Sequence, residues 1–489
     1  MVFMVRAAGY SNHMTPDDNG TQQPINDTPT IFVLFGATGD LAKRMVIPAF
    51  YTLAIEGLLP RRWALIGNGR GDISDDDFRT HVHDALTEFG TKPAGDDWDD
   101  FSRKLSFAGR GFAEDDPGML PAVVETVRSS VGSDAQLIHY IALPPSTFSG
   151  YTRALAAHGL ADGARVVYEK PFGISLTDFR QLDSVVQDVL DESQVYRIDH
   201  FLGKEATQEL HVLRFANGLF EGIWNRQHVR AVQIDVPEKL DVSDRVGFYD
   251  TTGALRDMIV THLFQVAAEV AMEPPLSLSA EDLQDARETV IAAFRPLRPD
   301  ETVLGQFDGY ADVEGVAEGS TTDTFVAARL WIDTDRWRDV PFLLRTGKQM
   351  SASAQQVSLL MRRPEVGLFS GADTQDNVLS FSLGGSGEIA LSMSVKSPGT
   401  GLTLTESRVA LRIDEVGLKE PLPPYSRLIH DVILGDRSLF TRPDGLESAW
   451  LAIEPIMREA PPVLPYAVGS WGPDDAARLA EPDGWLLGQ

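Results

Sequence analysis

Residues 197–205, which read RIDHFLGKE, place an acid, a histidine and a lysine close together in the chain. Asp199 and His200 directly follow a short apolar run, and Lys204 comes four residues after the histidine. On a helix that began here, His200 and Lys204 would share a face, and two cationic groups at a helix N-terminus form an anion-binding site. An adjacent Asp–His pair is more often structural than catalytic, so its position in the fold has to decide between the two.

Two other stretches carry side chains suited to proton chemistry. YEKPFG (168–173) ends an apolar run with Lys170 before a proline, which fixes a sharp turn at the end of that run. GALRDMIVTHLFQ (253–265) carries Asp257 and His262 in an otherwise apolar helical pattern, where polar groups need partners or a function. Five residues apart on an α-helix, they are well separated in angle, so we expect them to flank a cavity. A satisfied core histidine is the alternative for His262.

A glycine-rich turn indicates a cofactor. VLFGATGDLAKRM (33–45) spaces Gly36, Gly39 and Ala42 as G-x-x-G-x-x-A, directly after an apolar strand and at the start of a helix. Such glycines let the backbone approach a pyrophosphate, whose charge faces the helix N-terminus. The next strand runs into GNGRG without an acid for a ribose 2′-hydroxyl, and Arg70 there suits the 2′-phosphate of NADP. A plain strand-to-helix turn and a solvated arginine are the alternatives.

The elements that position these residues follow from the hydrophobic pattern. Apolar runs alternate with helical segments, the runs lying at 30–35, 63–66, 104–107, 136–143, 164–169 and 194–198. Buried strands that alternate with helices predict a Rossmann-type α/β domain, a doubly wound parallel sheet with helices on both faces. Its strands deliver Lys170 and Asp199 to the crevice at the carboxyl edge, where open α/β folds bind ligands.

Beyond residue 200 the pattern changes. After a helix at about 203–218, two-residue alternation prevails in runs at 231–236, 324–332, 357–361, 378–383, 388–395 and 407–413. This predicts an α+β domain with a large, mostly antiparallel sheet, on which helices at about 253–271, 281–293, 425–434 and 445–457 pack. We therefore predict a disordered tail at 1–29, a first domain at 30–200 and a second at 201–489. The 197–205 segment then lies at a domain boundary, where ligand sites are common.

Composition and charge exclude several classes of function. The 489 residues carry a net charge of −28 at pH 7, which disfavours nucleic acid and anionic membranes as partners. The absence of cysteine excludes disulfides, thiolate catalysis and cysteine-ligated zinc, and favours a reducing cytoplasm as the location. No apolar run is long enough to span a membrane, and the N-terminal stretch lacks the apolar core of a signal peptide. To bind an anionic ligand, the protein would need a local group of Lys, Arg and His that reverses the negative electrostatic potential of its surface.

A series of motifs resembles one family. In order they are GATGDLAKRM, EKPFG, RIDHFLGKE, LRFANGLFEGIWNR, FYDTTGALRDM with HLFQ, AMEPP, VPFLLRTGK and SWGP. From about residue 30 to the C-terminus the chain resembles the glucose-6-phosphate dehydrogenase family, and the RIDHFLGKE signature is highly specific. The resemblance implies oxidation of glucose 6-phosphate to 6-phosphogluconolactone with NADP, the entry to the pentose phosphate pathway. It also implies a homodimer, or a tetramer made of two dimers, formed through the large sheet of the second domain.

The resemblance also implies roles for the matching residues. His262 would be the general base that removes the C1-hydroxyl proton as hydride leaves C1, and Asp199 would orient it. His200 and Lys204 would bind the 6-phosphate, with Lys170 between sugar and nicotinamide. The residues implied to hold the sugar hydroxyls are Glu238, Asp257 and Lys348. The cofactor-binding residues expected from the turn and the resemblance are Gly36, Thr38, Gly39, Asp40, Leu41, Arg70 and Lys170. No metal is implied.

Five positions depart from the family pattern. Phe201 stands where the family usually has a tyrosine, and Thr261 stands where it has an asparagine. Ser353 replaces a Lys or Arg, and Ser382 and Gly384 replace the arginine and glutamine of an R-x-Q-P strand. Each lost contact to a charged or buried ligand group is expected to cost about 1–3 kcal/mol. The alternatives are therefore a related sugar oxidoreductase with the same two domain types, or a weakened regulatory paralogue that binds NADP or sugar phosphate.

Overall fold

The computed structural model describes residues 27–242, 246–366, 368–369, 376–385, 387–412, 415 and 421–488. The tail predicted to be disordered at 1–29 lies outside these ranges, apart from its last three residues. Within them the chain forms one sheet of seven strands and one of nine.

The first sheet is formed mainly by the N-terminal part of the chain. Its strands are β1 (Thr30–Phe35), β2 (Trp63–Asn68), β3 (Leu105–Ala108), β4 (Gln136–Ile141), β5 (Arg165–Tyr168), β6 (Val195–Ile198) and, from much later, β15 (Phe440–Thr441). They lie in the order β15-β6-β5-β4-β1-β2-β3, and each neighbouring pair is parallel except β15 with β6. The predicted parallel sheet is confirmed, and all six predicted strand segments correspond to β1–β6.

Helices cover both faces of this sheet. They are α1 (Ile47–Ile55), α2 (Asp75–Phe89), α3 (Gly95–Ser102), α4 (Leu120–Val131), α5 (Phe148–Ala157) and α6 (Leu176–Gln187). Ile31 and Val33 of β1 pack in one core with side chains of α4 and α5, whereas Phe32 and Leu34 pack in another with side chains of α1 and α2. Because successive side chains of a strand point to opposite faces, an entirely apolar β1 is what a sheet covered on both sides requires.

The second sheet is large and mostly antiparallel, as predicted. Its strands are β7 (Val229–Pro237), β8 (Thr302–Phe307), β9 (Phe325–Leu330), β10 (Phe342–Gly347), β11 (Gln356–Met361), β12 (Val378–Ser382), β13 (Glu388–Lys396), β14 (Leu404–Arg412) and β16 (Val463–Tyr466). They lie in the order β14-β13-β12-β11-β7-β10-β9-β8-β16, and β7 with β10 and β8 with β16 are parallel. We did not predict β8, β10 and β16. Every residue of β10 is buried, so it shows no apolar–polar alternation.

The remaining helices connect and cover the two sheets. They are α7 (Glu205–Phe215), α8 (Gly218–Glu221), α9 (Val246–Ala254), α10 (Phe264–Ala271), α11 (Ala280–Ala292), α12 (Pro424–Leu434) and α13 (Pro443–Arg458). The prediction that the 425–434 helix packs on the second sheet is wrong. Leu428 and Val432 of α12 lie in the same core as Phe50 of α1, against the first sheet. An amphipathic pattern identifies the face that a helix buries but not the surface that receives it.

The carboxyl ends of strands from both sheets meet around one buried segment. Lys170 follows β5 and Asp199 follows β6, while Glu238 follows β7 and Lys348 follows β10. Between α9 and α10 the chain forms a π-helix, Leu255–Leu263, which carries Asp257 and His262. Its contacts with Lys170, Asp199 and β10 bring these strand ends together.

Candidate active site

A buried histidine–aspartate pair lies at the centre of the site. His262 Nδ1 is 2.6 Å from Asp199 Oδ1, and the side chains are 0% and 1% exposed. Burial raises the pKa of Asp199 to about 6 and lowers the pKa of His262 well below its usual range. At neutral pH the carboxylate is therefore ionised and the imidazole neutral. Since a carboxylate only accepts hydrogen bonds, Nδ1 carries the proton and Nε2 keeps its lone pair.

His262 Nε2 is free to accept a proton. It is buried and has no hydrogen-bond partner among the described residues. Asp199 Oδ1 also accepts the backbone N–H of Phe201 at 2.9 Å, which fixes the carboxylate in place. An imidazole that is oriented by a carboxylate and keeps an unpartnered nitrogen is arranged as a general base.

The π-helix places Asp257 and His262 on the same side. Its i→i+5 hydrogen bonds bring residues five apart close to one another in successive turns. This differs from our expectation, which assumed α-helical geometry and a wide angle between the two side chains. The segment begins after Gly253, whose φ is 68°, and the Asp323 carboxylate accepts the N–H of Leu255 at 2.7 Å. A Cβ at Gly253 would lie 2.5 Å from Asp323 Oδ1, so this cap requires glycine.

Two lysines of the site are paired with carboxylates. Lys170 Nζ donates to Asp257 Oδ1 at 2.9 Å, and Lys348 Nζ donates to Glu238 Oε2 at 2.5 Å. Burial acts to raise the pKa of Asp257, but Lys170, His262 and Lys348 together hold it at about 2. The two ammonium groups also help to lower the pKa of His262. The structure thus brings four predicted substrate-binding residues next to the histidine–aspartate pair.

Lys204 has a different environment. Its Nζ donates to Oε1 of Gln355 and lies 3.7 Å from the centroid of the Phe201 ring. Burial lowers the pKa of Lys204 to about 8, although Asp199 and Glu238 act in the opposite direction. Sequence reasoning missed Gln355, because no local pattern connects it with a lysine 151 residues away.

His200 lies beside the pair but does not share a helix face with Lys204. It occupies the turn before α7, and its ring meets that of His262 edge to face with centroids 4.6 Å apart. Desolvation lowers its pKa well below the usual range, and His262, Lys170 and Lys204 add to that effect. We expected His200 to be a second cation beside Lys204. In this state His200 is neutral, and the positive charge resides on Lys204.

Phe201, a departure from the family pattern, has a clear structural place. Its ring is stacked on that of His262 with centroids 4.6 Å apart and an interplanar angle of 26°. The ring also meets the His200 ring edge to face, with centroids 5.0 Å apart, and contacts the ammonium group of Lys204. Phe201 therefore supports both the histidine and the lysine, although it lacks a hydroxyl.

The remaining departures make local hydrogen bonds. Thr261 Oγ1 donates to the carbonyl of Arg256 at 3.3 Å, and Ser382 Oγ donates to the carbonyl of Gly384 at 2.8 Å. Ser353 Oγ accepts the backbone N–H of Lys239 at 2.9 Å. None of these side chains contacts Lys204 or His262 in the described hydrogen bonds.

Glu169, the neighbour of Lys170 in the chain, is a further buried carboxyl of this region. Glu169 accepts a hydrogen bond from the Tyr140 hydroxyl at 2.5 Å, and burial raises the pKa of this carboxyl. Tyr140 lies in β4 and Glu169 directly follows β5, both within runs typical of an apolar core, so no motif singled them out.

The glycine-rich turn is shaped to receive a dinucleotide. Gly36 has φ 73°, and a Cβ there would lie 2.5 Å from the carbonyl oxygen of Ala142. Thr38, Gly39 and Asp40 are exposed at the carboxyl edge of the sheet, with Leu41 partly exposed beside them. This open backbone before a helix fits a pyrophosphate. The Asp40 carboxylate is occupied by Arg44, whose Nε lies 2.7 Å away.

Arg70 lies apart from the histidine–aspartate pair, in the loop after β2. It is exposed, and its loop is joined to the loop after β3 by backbone hydrogen bonds, including Gly111 N–H to the carbonyl of Gly69 at 2.8 Å. The residue that ends β2 is Asn68, which is buried and donates to the carbonyls of Ala108 and Gly111. No acid therefore lies at this strand end to select a ribose 2′-hydroxyl.

Donor atoms of Asp199, His200 and His262 lie within 4.8 Å of one another, a spacing compatible with a metal ion. In the described structure, however, Asp199 Oδ1 is engaged by His262, and Lys170 and Lys204 lie nearby as cations. The absence of a metal requirement stays a prediction.

Family models match both parts of the chain. The model described as "Glucose-6-phosphate dehydrogenase, NAD binding domain" matches residues 33–209, and "Glucose-6-phosphate dehydrogenase, C-terminal domain" matches residues 211–486. The chain belongs to the glucose-6-phosphate dehydrogenase family.

Individual relatives agree with this assignment. The glucose-6-phosphate 1-dehydrogenase of Mycolicibacterium smegmatis is 37% identical over 490 residues, which cover 95% of this chain and 98% of that protein. The crystal structure of glucose-6-phosphate 1-dehydrogenase from Mycobacterium avium superposes with a TM-score of 0.83 at 33% identity, over 94% of this chain and 98% of that one. A glucose-6-phosphate dehydrogenase in complex with its substrate glucose-6-phosphate gives a TM-score of 0.87 at 29% identity, over 95% of this chain and 99% of that one. The predicted family, fold class and enzyme class are confirmed.

None of the helices in the described part of the chain combines the length and the apolar character that crossing a bilayer requires.

Proposed function

We propose that this protein oxidises glucose 6-phosphate at C1 to 6-phospho-D-glucono-1,5-lactone, with NADP as the hydride acceptor. The observation that carries this proposal is the buried Asp199–His262 pair, whose Nε2 has no partner among the described residues. It lies near the ammonium group of Lys204, which forms no ion pair within the described ranges. A base beside an anion site suits glucose 6-phosphate, because C1 and C5, the carbon that bears the phosphorylated C6, flank the same ring oxygen.

His262 is the proposed base. Its Nε2 accepts the proton of the C1 hydroxyl while C1 gives up its hydrogen with the bonding electron pair, so that the C1–O bond becomes a carbonyl. Asp199 holds the ring in the Nδ1–H form and stabilises the imidazolium as it appears. Burial keeps both groups out of water, where their attraction would be weaker.

The charged side chains around the pair hold the substrate in this proposal. His200 and Lys204 bind the 6-phosphate, and the phosphate dianion in turn favours protonation of the imidazole. The sugar hydroxyls are held by Glu238, Asp257 and Lys348. Lys170, held by Asp257, lies between the sugar and the nicotinamide.

The glycine-rich turn and Arg70 are the proposed cofactor site. NADP, when bound, supplies the ring carbon that accepts the hydride. The backbone around Gly36, Thr38 and Gly39, with Asp40 and Leu41 completing the turn, holds the pyrophosphate. Arg70 pairs with the 2′-phosphate of NADP. The strand end carries Asn68 in place of the acid that binds the ribose 2′-hydroxyl of NAD.

The second sheet is the proposed site of dimerisation. Its edge strand β14 exposes Val409 and Leu411, which are 50% and 54% exposed and lie on the same face because they are two residues apart. Such apolar side chains favour contact with a second copy. Sedimentation velocity should show a dimer or tetramer, and a monomer at micromolar concentration would contradict this. A reducing cytoplasm is the proposed location, as the cysteine-free sequence favours it.

A substrate panel tests the proposed reaction. NADPH formation should be measured with glucose 6-phosphate, glucose, fructose 6-phosphate and mannose 6-phosphate, and each sugar repeated with NAD. Charge-assisted contacts from two side chains predict a kcat/KM for glucose 6-phosphate at least about 100-fold above that for glucose. Equal kcat/KM values for glucose 6-phosphate and glucose would contradict the proposed phosphate site. No NADPH at saturating glucose 6-phosphate would contradict the reaction itself.

A further inference from the structure

The three lysines of the site differ in what neutralises them. Lys170 and Lys348 each form an ion pair with a carboxylate, that of Asp257 or Glu238. Lys204 forms no ion pair within the described ranges, and its hydrogen-bond acceptor is the amide oxygen of Gln355. An amide orients an ammonium group without cancelling its charge. Lys204 is therefore the one of these three lysines without an ion-pair partner in the described part of the chain.

The fold fixes Gln355 next to Lys204. The carbonyl of Gln355 accepts the N–H of Leu383 at 2.7 Å, which extends the pairing of β11 with β12 by one position. Its side chain fills the space beside Gly384, where an added Cβ would lie 3.4 Å from Gln355 Oε1. A longer side chain at position 384 would thus enter the space that the Gln355 carboxamide occupies.

The Gln355 carboxamide has a second function available. An ammonium group only donates hydrogen bonds, so the carboxamide atom that contacts Lys204 must be the oxygen of Gln355. The NH₂ group of Gln355 therefore points elsewhere. This NH₂ has no hydrogen-bond partner among the described residues. An N–H donor beside an unneutralised ammonium group is a combination that binds a phosphate monoester.

We infer that Gln355 positions Lys204 and donates a hydrogen bond to the 6-phosphate, and that it thereby sets the preference for phosphorylated over unphosphorylated sugar. This inference rests on the proposed function, because the phosphate is that of the proposed substrate. Gln355 is a positioning and specificity-determining residue, and it takes no part in proton or hydride transfer.

The variant Gln355→Glu tests the inference by giving Lys204 a carboxylate partner that also repels phosphate. We expect KM for glucose 6-phosphate to rise at least about tenfold, with kcat within threefold of wild type. The kcat/KM for glucose, which has no phosphate, should stay within twofold. The matched control is Gln356→Ala, because this neighbouring glutamine points to the other face of the sheet and donates to Ser358 Oγ. An unchanged KM for glucose 6-phosphate, or an equal loss for both sugars, would overturn the inference.

A rescue experiment separates substrate binding from local structure. Gln355→Ala should raise KM for glucose 6-phosphate, and adding Gly384→Gln should lower it again at least threefold by returning a carboxamide to the same space. The φ of Gly384 lies outside the left-handed region, so the backbone accepts this change. A double variant that melts like wild type and shows no recovery would overturn the assignment of that space to substrate binding.

Inorganic phosphate distinguishes failure of the inference from failure of the proposed function. Wild-type protein that does not oxidise glucose 6-phosphate overturns the proposed function. Isothermal titration calorimetry with inorganic phosphate should still show at least about tenfold weaker binding to Gln355→Glu than to wild type. Equal binding to the two proteins overturns the inference, whatever the turnover.

Discussion

Replacing Asp199 with asparagine removes the charge that faces His262 while keeping the size and one acceptor oxygen of the side chain. In the structure Asp199 Oδ1 accepts from His262 Nδ1 at 2.6 Å and from the N–H of Phe201 at 2.9 Å. An asparagine oxygen can keep these contacts, so the ring should stay in place. The loss is the attraction between a carboxylate and the imidazolium that forms during the reaction.

The size of this loss follows from Coulomb's law. Two unit charges about 4 Å apart interact by about 4 kcal/mol at an effective dielectric constant of about 20. Since about 1.4 kcal/mol corresponds to a factor of ten, kcat should fall about 100- to 1,000-fold. The KM values for glucose 6-phosphate and NADP should change less than threefold, because the ground state contains no imidazolium.

The same change should not destabilise the fold. Burial moves the pKa of Asp199 from 3.8 to about 6, which corresponds to about 3 kcal/mol against the ionised form in the folded protein. Because the folded-state pKa is raised, this cost is absent below pH 3.8, grows as pH rises to about 6 and is fully present above it. At pH 7.5 Asp199→Asn should therefore melt at the same temperature as wild type or higher.

Steady-state kinetics and thermal unfolding at pH 7.5 check both expectations. Asp188→Asn is the control, since Asp188 is exposed at the end of α6 and should leave kcat unchanged. A kcat reduced less than fivefold, or a raised KM with an intact kcat, would refute the role of Asp199. A large loss of melting temperature would refute the reasoning about its burial.

Three further variants test neighbouring groups. We expect KM for glucose 6-phosphate to rise above pH 8 in the wild type, because burial lowers the pKa of Lys204 to about 8, and Lys204→Arg should abolish that rise because arginine keeps its charge. Phe201→Leu should lower kcat about tenfold by loosening His262, whereas Phe201→Tyr, which keeps the stacked ring, should stay within threefold of wild type. Arg70→Ala should raise KM for NADP about tenfold and leave KM for NAD unchanged, as steady-state kinetics with both cofactors would show.

Each of these variants has a contradicting result. An identical alkaline rise in KM in Lys204→Arg would exclude Lys204 as the titrating group. Equal kcat in Phe201→Leu and wild type would show that the ring does not hold His262. For Arg70 the control is Arg103→Ala, another exposed arginine of the first domain, and equal effects of the two variants would remove Arg70 from the cofactor site.

Much of the first domain could be predicted because its strands are buried on both faces. The apolar run at 30–35 coincides with β1, all of whose residues are buried. In the second sheet, alternation identified β7 and β9 but not β10, which is buried throughout and contains Arg345 paired with Asp235. Alternation is absent from a strand whose two faces are both buried, and the interior pairing of Arg345 with Asp235 does not show in the sequence.

The candidate site was predictable in its residues and less so in its geometry. Asp199 and His262 were selected from motifs, and the structure places them in contact. The π-helix was not predictable, because no residue preference distinguishes i→i+5 from i→i+4 bonding and Gly253 shows its role only with Asp323 in place. Gln355 was missed because Lys204 follows a strand of the first sheet and Gln355 precedes a strand of the second. Their contact depends on how the two sheets pack and not on any local spacing.

The most direct test of the central claim is His262→Asn, assayed for turnover and for binding. Stopped-flow measurement of NADPH should show turnover reduced by about 100- to 10,000-fold, the range for loss of a general base. Fluorescence titration should give dissociation constants for NADP and glucose 6-phosphate within about threefold of wild type. Turnover within tenfold of wild type, in a variant that binds both ligands, would contradict the assignment of His262 as the base.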